Sequence, residues 1–281
     1  MKRLEGKRIA ITGSSRSLGR EFALAAAREG ASLVINGTDE QSLAETLDAV
    51  EALGAPVTAV HGSVADTTVC SEIVSTCVQQ FGAIDVLVNN AGIVRDRTLL
   101  KMSDEDFDEV IAVDLRGPFI CMREAARAMR DHGGGHIINV TSASGMVGNF
   151  GQTNYAAAKA GLMGMMYTAV KELSRYDIRC NAMWPIARTD MTSPLIENSE
   201  RTAAELGFGE PGDVALGLVW LASDAASEFN GQCLTFNGLK TALWRSPTEE
   251  YVREEQQAIT LEQLEEYYAK LEPLPVYSSR G

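Results

Sequence analysis

The sequence predicts an α/β protein built on a single doubly wound parallel sheet with helices on both faces. Short apolar runs alternate with helical periodicities along most of the chain, the pattern of consecutive βαβ units. A glycine turn, Gly13-Ser-Ser-Arg-Ser-Leu-Gly19, delivers the first apolar run directly into a helical pattern. A chain of 281 residues that is 45% hydrophobic and 22% charged can bury one sizeable core, and α/β folds of this length often form one domain.

Taken in order, the first strand is the short apolar run 7–12, and the helical spacing starts at Leu18 and runs to about 29. Six further strands are expected near 32–36, 56–60, 84–89, 135–141, 178–184 and 232–236, making about seven. The intervening helices are expected near 39–53, 66–81, 103–130, 153–176 and 212–223. Pro118 falls inside the fourth of the six helices, where it removes one backbone N–H and clashes with the preceding turn; a kink or split is expected there. Met163, Met165 and Met166 sit beside Leu162 in the 153–176 helix, a spacing that suits core or a subunit interface, and the interface is the reading taken.

After Gly238 the sequence changes in kind. Ser246-Pro247-Thr-Glu249 and Thr260-Leu-Glu-Gln263 both have capping-box form, and each opens a short acidic stretch. Residues 239–281 are therefore expected to be a C-terminal helical extension to a main domain at 1–238. Trp244, Tyr251, Tyr267 and Tyr268 give that extension aromatic surface to bury, which favours docking over a solvated tail.

Composition excludes several function classes. A net charge of −13 with no basic cluster argues against nucleic acid and anionic membrane surfaces. Cys70, Cys77, Cys121, Cys180 and Cys233 lack the spacing of a disulfide framework and read as reduced thiols in a cytoplasmic protein. His61, His132 and His136 form no ligand cluster, so no metal site is expected. No signal-peptide h-region and no bilayer-length apolar run is expected to be present.

Three motifs carry chemistry. The glycine turn points backbone N–H groups and a helix N-terminus at an anion, as a dinucleotide pyrophosphate requires. The run Ile84–Gly92 ends in Asn-Asn-Ala-Gly at a strand C-terminus, where open α/β sheets bind ligands; Asn89 either meets a ligand there or ties adjacent strands together. Ser142 lies thirteen residues before Tyr155, and Tyr155 and Lys159 stand one helical turn apart on one face. A lysine cation beside a phenol favours the phenolate, and a nearby hydroxyl can hold a carbonyl oxygen, an arrangement suited to proton transfer at an oxygen on carbon.

As a set, Thr12-Gly13-x3-Ser17-x-Gly19, Asn89-Asn90-Ala91-Gly92, Ser142 and Tyr155-x3-Lys159 resemble the motifs of the short-chain dehydrogenase/reductase superfamily, over about residues 4–238. The phrase Asn90–Arg97 and the closing Gly231-Gln232-x-Leu-x3-Asn237-Gly238 resemble the branch of 3-oxoacyl-thioester reductases and the dehydrogenase units of peroxisomal-type β-oxidation proteins. The resemblance implies a Rossmann-like strand order 3-2-1-4-5-6-7 and hydride transfer between a nicotinamide and a ketone or secondary alcohol. It implies Tyr155 as general acid and base, Lys159 as the group that lowers its pKa and holds the nicotinamide ribose, and Ser142 as a donor to the substrate oxygen. The implied cofactor site draws on Gly13, Ser15, Arg16, Ser17, Leu18 and Gly19, on Asn36, Gly37 and Thr38, and on Ser63 and Val64. It continues through Asn89, Ala91, Gly92, Tyr155 and Lys159 to Pro185, Ile186 and Thr189. It also implies a homotetramer or homodimer and a small-molecule carbonyl or alcohol substrate.

Four residues or segments depart from the family pattern. Ser17 replaces the middle glycine, Ser63 replaces an Asp or Asn that holds the adenine amine, and Pro185-Ile186-Ala-Arg-Thr189 is one residue shorter than usual. Asp114 stands where the family has a catalytic Asn. Asp114 either faces Tyr155 and Lys159 and adds a negative charge to the site, or faces away and pairs with a cation such as Arg116. These departures leave open a dinucleotide-binding regulatory or scaffolding protein, but the intact Ser142, Tyr155 and Lys159 favour an enzyme. The second strand ends Asn36-Gly37-Thr38 without an acidic residue for a free ribose hydroxyl, and Arg16 can meet a 2′-phosphate, so NADP(H) is expected over NAD(H); Asp39 is the alternative ribose partner.

Overall fold

The computed structural model describes residues 2–245, 247 and 260–270. It divides into two compact units, Met1–Trp244 and Arg245–Gly281. The first contains one eight-stranded sheet in the order β3-β2-β1-β4-β5-β6-β7-β8. The strands are β1 (Arg8–Ile11), β2 (Ser32–Gly37), β3 (Val57–His61), β4 (Val86–Asn89), β5 (Gly135–Val140), β6 (Ile178–Pro185), β7 (Cys233–Phe236) and β8 (Thr241–Trp244). The first seven match the expected strands and run parallel.

The eighth strand corrects the expectation of an all-parallel sheet. It pairs antiparallel with β7, from Phe236↔Thr241 to Cys233↔Trp244. Trp244 packs on Trp184 of β6 with ring centroids 4.9 Å apart, and its Nε1 donates to Thr235 Oγ1 at 2.7 Å. The segment expected to begin a helical extension thus first completes the sheet.

Alternating side chains build two cores, one on each face. Ile9, Ile11, Leu33, Ile35, Val86 and Val88 point to the face covered by α1 (Ser17–Arg28), α2 (Glu40–Glu51) and α9 (Pro211–Ala222). Ala10, Val34, Leu87 and Ile137 point to the face covered by α3 (Thr67–Phe81), α5 (Gly117–Asp131) and α7 (Thr153–Leu173). Met163 and Met166 belong to this second core and are buried within the chain. That burial overturns the interface reading of these two residues; the outward face of α7 carries Ala157, Ala160, Gly164 and Thr168 instead.

The expected helix at 103–130 is broken, as Pro118 requires, into α4 (Asp104–Ile111), a π-helical turn Ala112–Arg116, and α5. Pro118 lies in the first turn of α5 and has no N–H to close on the carbonyl of Asp114 four residues earlier. The break therefore appears upstream of the proline, as a widened turn that carries Asp114. Short helices α6 (Ala143–Val147) and α8 (Ser193–Glu197) follow β5 and β6.

In the second unit, α10 (Leu261–Tyr268) starts with the expected capping box: Thr260 accepts from the Gln263 N–H, and the Gln263 side chain accepts from the Thr260 N–H. The other expected capping box, Ser246–Glu249, and Tyr251 lie outside the described residues apart from Pro247.

Candidate active site

Parallel strands bring their C-terminal ends to one edge, and β1 and β4 are neighbours whose crossovers leave in opposite directions. That reversal opens a crevice between them. The glycine turn lies on one side of it. Gly13 has φ +62°, and a Cβ there would come within 2.6 Å of Ala91 Cα. A Cβ on Gly19 would strike the Gly13 carbonyl and the Asn90 amide, so only glycine lets α1 start this close to the turn. Asn90 secures the turn from β4: its Nδ2 donates to the Thr12 and Gly13 carbonyls at 3.0 and 2.8 Å. The Thr12 hydroxyl in turn accepts from the N–H groups of Asn90 and Ala91, both at 3.0 Å.

The structure gives several expected ligand residues a definite local role. Asn36 accepts from Gly13 N–H at 3.3 Å and donates to the Val60 and Gly62 carbonyls, both at 3.0 Å; its side chain clips β1, β2 and β3 together and has no amide hydrogen left for a ligand. Gly37 leaves space for Ser15, whose side chain would lie 2.6 Å from a Cβ. The Ser15 carbonyl accepts from Thr46 Oγ1 at 2.9 Å. Leu18 and Val64 are buried in the two cores. The Ser63 hydroxyl accepts from Ala65 N–H at 3.2 Å, and the Thr38 carbonyl is 3.0 Å from His61 Nε2. Asn89 is buried and donates to Asn139 Oδ1 at 2.9 Å, so its side chain ties β4 to β5, one of the two roles open in the sequence.

The N-terminus of α1 is open to a ligand. Arg16 precedes the helix without a side-chain capping bond, and the first turn holds no acidic residue. The leading N–H groups and the positive end of the helix dipole are thus available to a pyrophosphate. Arg16 is exposed and close enough to Asp39 to help depress that carboxyl's pKa, although hydrogen bonds from Ser42 do more. Asp39 Oδ1 accepts from both Ser42 N–H and Ser42 Oγ–H, at 2.8 and 2.5 Å, and so caps α2. Pro185 ends β6, and Ile186 N–H donates to the Phe236 carbonyl at 2.8 Å. Thr189 N–H donates to Thr192 Oγ1 at 2.8 Å in the segment beyond.

The other side of the crevice carries Ser142, Tyr155 and Lys159. Ser142 caps α6 by accepting from Ser144 N–H at 3.3 Å. Tyr155 and Lys159 share the buried face of α7, 8% and 3% exposed, with the Lys159 ammonium 5.2 Å from the Tyr155 ring centroid. Asn154 fixes the start of that helix by donating to the carbonyls of Arg95 and Asp106 and accepting from Tyr155 N–H. Gln152 joins three segments at the mouth: Nε2 donates to both oxygens of Asp96, and Oε1 accepts from Ser144 Oγ at 2.6 Å and Asn149 Nδ2 at 3.1 Å. Sequence reasoning took Asn90 only as part of the Asn-Asn-Ala-Gly run, with no role of its own, and passed over Gln152 and Asn154; strand alternation alone sends Asn90 opposite to Asn89.

Asp114 faces the site. It is fully buried; Oδ1 accepts from Ile93 N–H at 2.8 Å, and Oδ2 lies 3.1 Å from Lys159 Nζ. Arg116 does not pair with it but donates to Ala65 O and Thr67 Oγ1. Lys159 also donates to the Val140 carbonyl at 3.2 Å. Burial opposes the Lys159 ammonium, but the neighbouring Asp114 and Tyr155 outweigh it and raise its pKa. Burial also raises the Tyr155 phenol; Lys159 and a hydrogen bond with Ser142 oppose the rise, and Asp114 and Asp96 add to it. At Asp114 burial is the largest influence and lifts the carboxyl above its ordinary range despite the adjacent lysine. The arrangement is a buried phenol flanked by an ammonium and a carboxylate at the edge where a dinucleotide turn opens, equipped for proton transfer to or from an oxygen.

A profile of the short chain dehydrogenase family matches residues 7–200, more than half of the chain. The chain belongs to the short-chain dehydrogenase/reductase family. Among its relatives, a 3-oxoacyl-acyl-carrier-protein reductase of Thermotoga maritima is 42% identical over 241 residues, covering 84% of this chain and 98% of that protein. A hydroxyacyl-CoA dehydrogenase of Mycobacterium tuberculosis is 39% identical over 260 residues, covering 87% of this chain and 81% of the relative. The crystal structure of a short chain dehydrogenase from Mycobacterium avium superposes with a TM-score of 0.85 at 34% identity, covering 99% of this chain and all of that one. This short-chain dehydrogenase is therefore an oxidoreductase by family. Among the described residues no helix is long and apolar enough to cross a membrane, and no cluster of His, Cys, Asp and Glu can hold a metal ion.

Proposed function

We propose that this short-chain dehydrogenase interconverts a ketone and a secondary alcohol with NADP(H), and that its substrate is a 3-oxoacyl thioester, a steroid or a cyclic ketone. The observation that carries the reading is the buried Tyr155–Lys159 pair at the same sheet edge as the uncapped α1 N-terminus. The names of the two relatives support the thioester class. The residues present fit a bound dinucleotide: the glycine turn and the leading N–H groups of α1 would hold the pyrophosphate, and Arg16 the 2′-phosphate. The residues that end β2 and follow it, Asn36, Gly37 and Thr38, carry no acidic side chain to repel that phosphate.

When bound, the nicotinamide supplies or accepts the hydride at carbon. In reduction, Ser142 holds the carbonyl oxygen and Tyr155 gives it the phenolic proton; Lys159 stabilises the phenolate left behind. In oxidation the phenolate removes the hydroxyl proton. The exposed small-residue face of α7 suits a homodimer or homotetramer, and the reduced thiols suit a cytoplasmic enzyme.

The test is a panel of 3-oxoacyl thioesters, steroids and small cyclic ketones with NADPH and with NADH. Turnover with NADPH favoured is expected. Tyr155→Phe should lose roughly 10²–10⁴-fold in kcat, the range of a general acid, with NADPH binding nearly intact. Arg16→Ala should weaken NADPH and spare NADH. Wild-type preference for NADH would sink the cofactor assignment, and dinucleotide binding without turnover, or an active Tyr155→Phe, would point to a regulatory or scaffolding role.

A further inference from the structure

The catalytic pair has a third ionisable partner, and its chemistry has a direction. Asp114 is held at one point by Ile93 N–H, 2.8 Å from Oδ1, while Oδ2 lies against Lys159 Nζ at 3.1 Å with no exposure to solvent. Gly92 is shaped to this contact: a Cβ there would lie 2.7 Å from Asp114 Oδ2 and 3.4 Å from Lys159 Nζ. The π-helical turn ahead of Pro118 carries the carboxylate. An asparagine in the same place would keep an oxygen for Ile93 and lose only the charge.

Resting on the oxidoreductase reading above, we infer that Asp114 is a positioning residue that biases this site towards ketone reduction and away from alcohol oxidation. Lys159 Nζ donates to the Val140 carbonyl and lies 3.1 Å from Asp114 Oδ2. The ammonium's pull on the phenol is therefore partly cancelled by a carboxylate in the same dry pocket, where charges interact more strongly than in water. The charged groups acting on Tyr155 are Lys159 on its own helix, Asp114 from the π turn and Asp96 from the loop after β4, with Ser142 as a hydrogen-bonding neighbour. Burial keeps the proton on the phenol, and the carboxylates of Asp114 and Asp96 act with it against the Lys159 cation. A protonated Tyr155 is the acid that reduction consumes; the phenolate is the base that oxidation needs. Removing the Asp114 charge makes the first proton of the Tyr155–Lys159 pair easier to lose, whichever of the two groups gives it up.

The experiment compares wild type with Asp114→Asn. In the pH profile of alcohol oxidation with NADP, the rising limb of the variant should move to lower pH by roughly one unit, the scale of a nearby charge, and the ratio of oxidation to reduction rates at pH 7 should rise. A second measurement needs no substrate: the tyrosinate absorbance that Tyr155→Phe removes should appear at lower pH in the Asp114→Asn background. If Asp114→Asn does not fold, Asp114→Ser replaces it in both arms. A merely structural Asp114 would change amplitudes and leave both midpoints in place, and unmoved or upward-moving midpoints overturn the inference. Absence of turnover in wild type would defeat the oxidoreductase reading, while the absorbance arm would still decide the role of Asp114.

Discussion

Ser17 holds a backbone conformation, φ 50°, in which an L-residue is crowded and glycine is not. It stands at the first position of α1, so its strain falls on the turn that opens the cofactor crevice. Ser17→Gly relieves that strain at the cost of a freer unfolded chain, and the balance should be a gain of about 0.5–1 kcal/mol. The check is the urea midpoint at constant m-value; an unchanged or lower midpoint would mean that the hydroxyl contributes more than the strain takes away. Ser142, Tyr155 and Lys159 were legible as candidates because they occur in company with the glycine turn and the Asn-Asn-Ala-Gly run, and the structure brings all three to one side of the crevice. Asp114 was legible as a departure, but its direction was not: one helical turn offers both Lys159 and Arg116, and the π turn that decides between them has no signature beyond Pro118. Asn36 and Asn89 show the opposite limit. Their positions at strand ends suited a ligand, yet Asn36 spends both amide hydrogens on strand carbonyls and Asn89 donates to Asn139.

At the scale of the elements, β5 and β6 meet in a buried polar knot. His136, paired in register with Arg179, has Nε2 2.9 Å from Asn181 Nδ2 and Nδ1 3.3 Å from Arg179 Nη2. Burial, aided by the Arg179 charge, pushes the imidazole well below its ordinary range. The unfolded chain therefore takes up a proton near pH 6.5 that the folded chain refuses. The resulting stability is complete above pH 6.5 and is lost as the pH falls towards the folded value, at about 1.4 kcal/mol per pH unit. Asp85, depressed by its bonds to Arg8 in spite of burial, contributes its own loss only around pH 4 and below. Unfolding titrations between pH 7 and 5 should thus show a slope that His136→Gln flattens; equal slopes would assign the acid sensitivity elsewhere. Short apolar runs between helical patterns made the seven parallel strands readable, because the central strands bury both faces. β8 was not readable: Thr241–Trp244 is four residues long with one side exposed, and it is held against β7 and Trp184.

For the whole molecule, the strand pairing sets where the catalytic unit ends. Truncation after Trp244 keeps β8 and should leave the unfolding midpoint of the first unit almost unchanged. Truncation after Gly238 strips β7 of a partner and removes the Trp184–Trp244 packing, and should cost at least about 2 kcal/mol, the scale of one buried large side chain. Comparable losses for both truncations would show that the residues after Trp244 contribute to the stability of the sheet. The antiparallel turn at β8 has one more consequence. Seven strands arrive at the catalytic edge, and the eighth carries the chain back from it by roughly 13 Å, at about 3.3 Å per residue. The unit's first strand also begins at the far edge. A catalytic unit tethered to a solid support through either of its own ends would therefore present its crevice outward, open to bulky ketones, with no linker needed to turn it round.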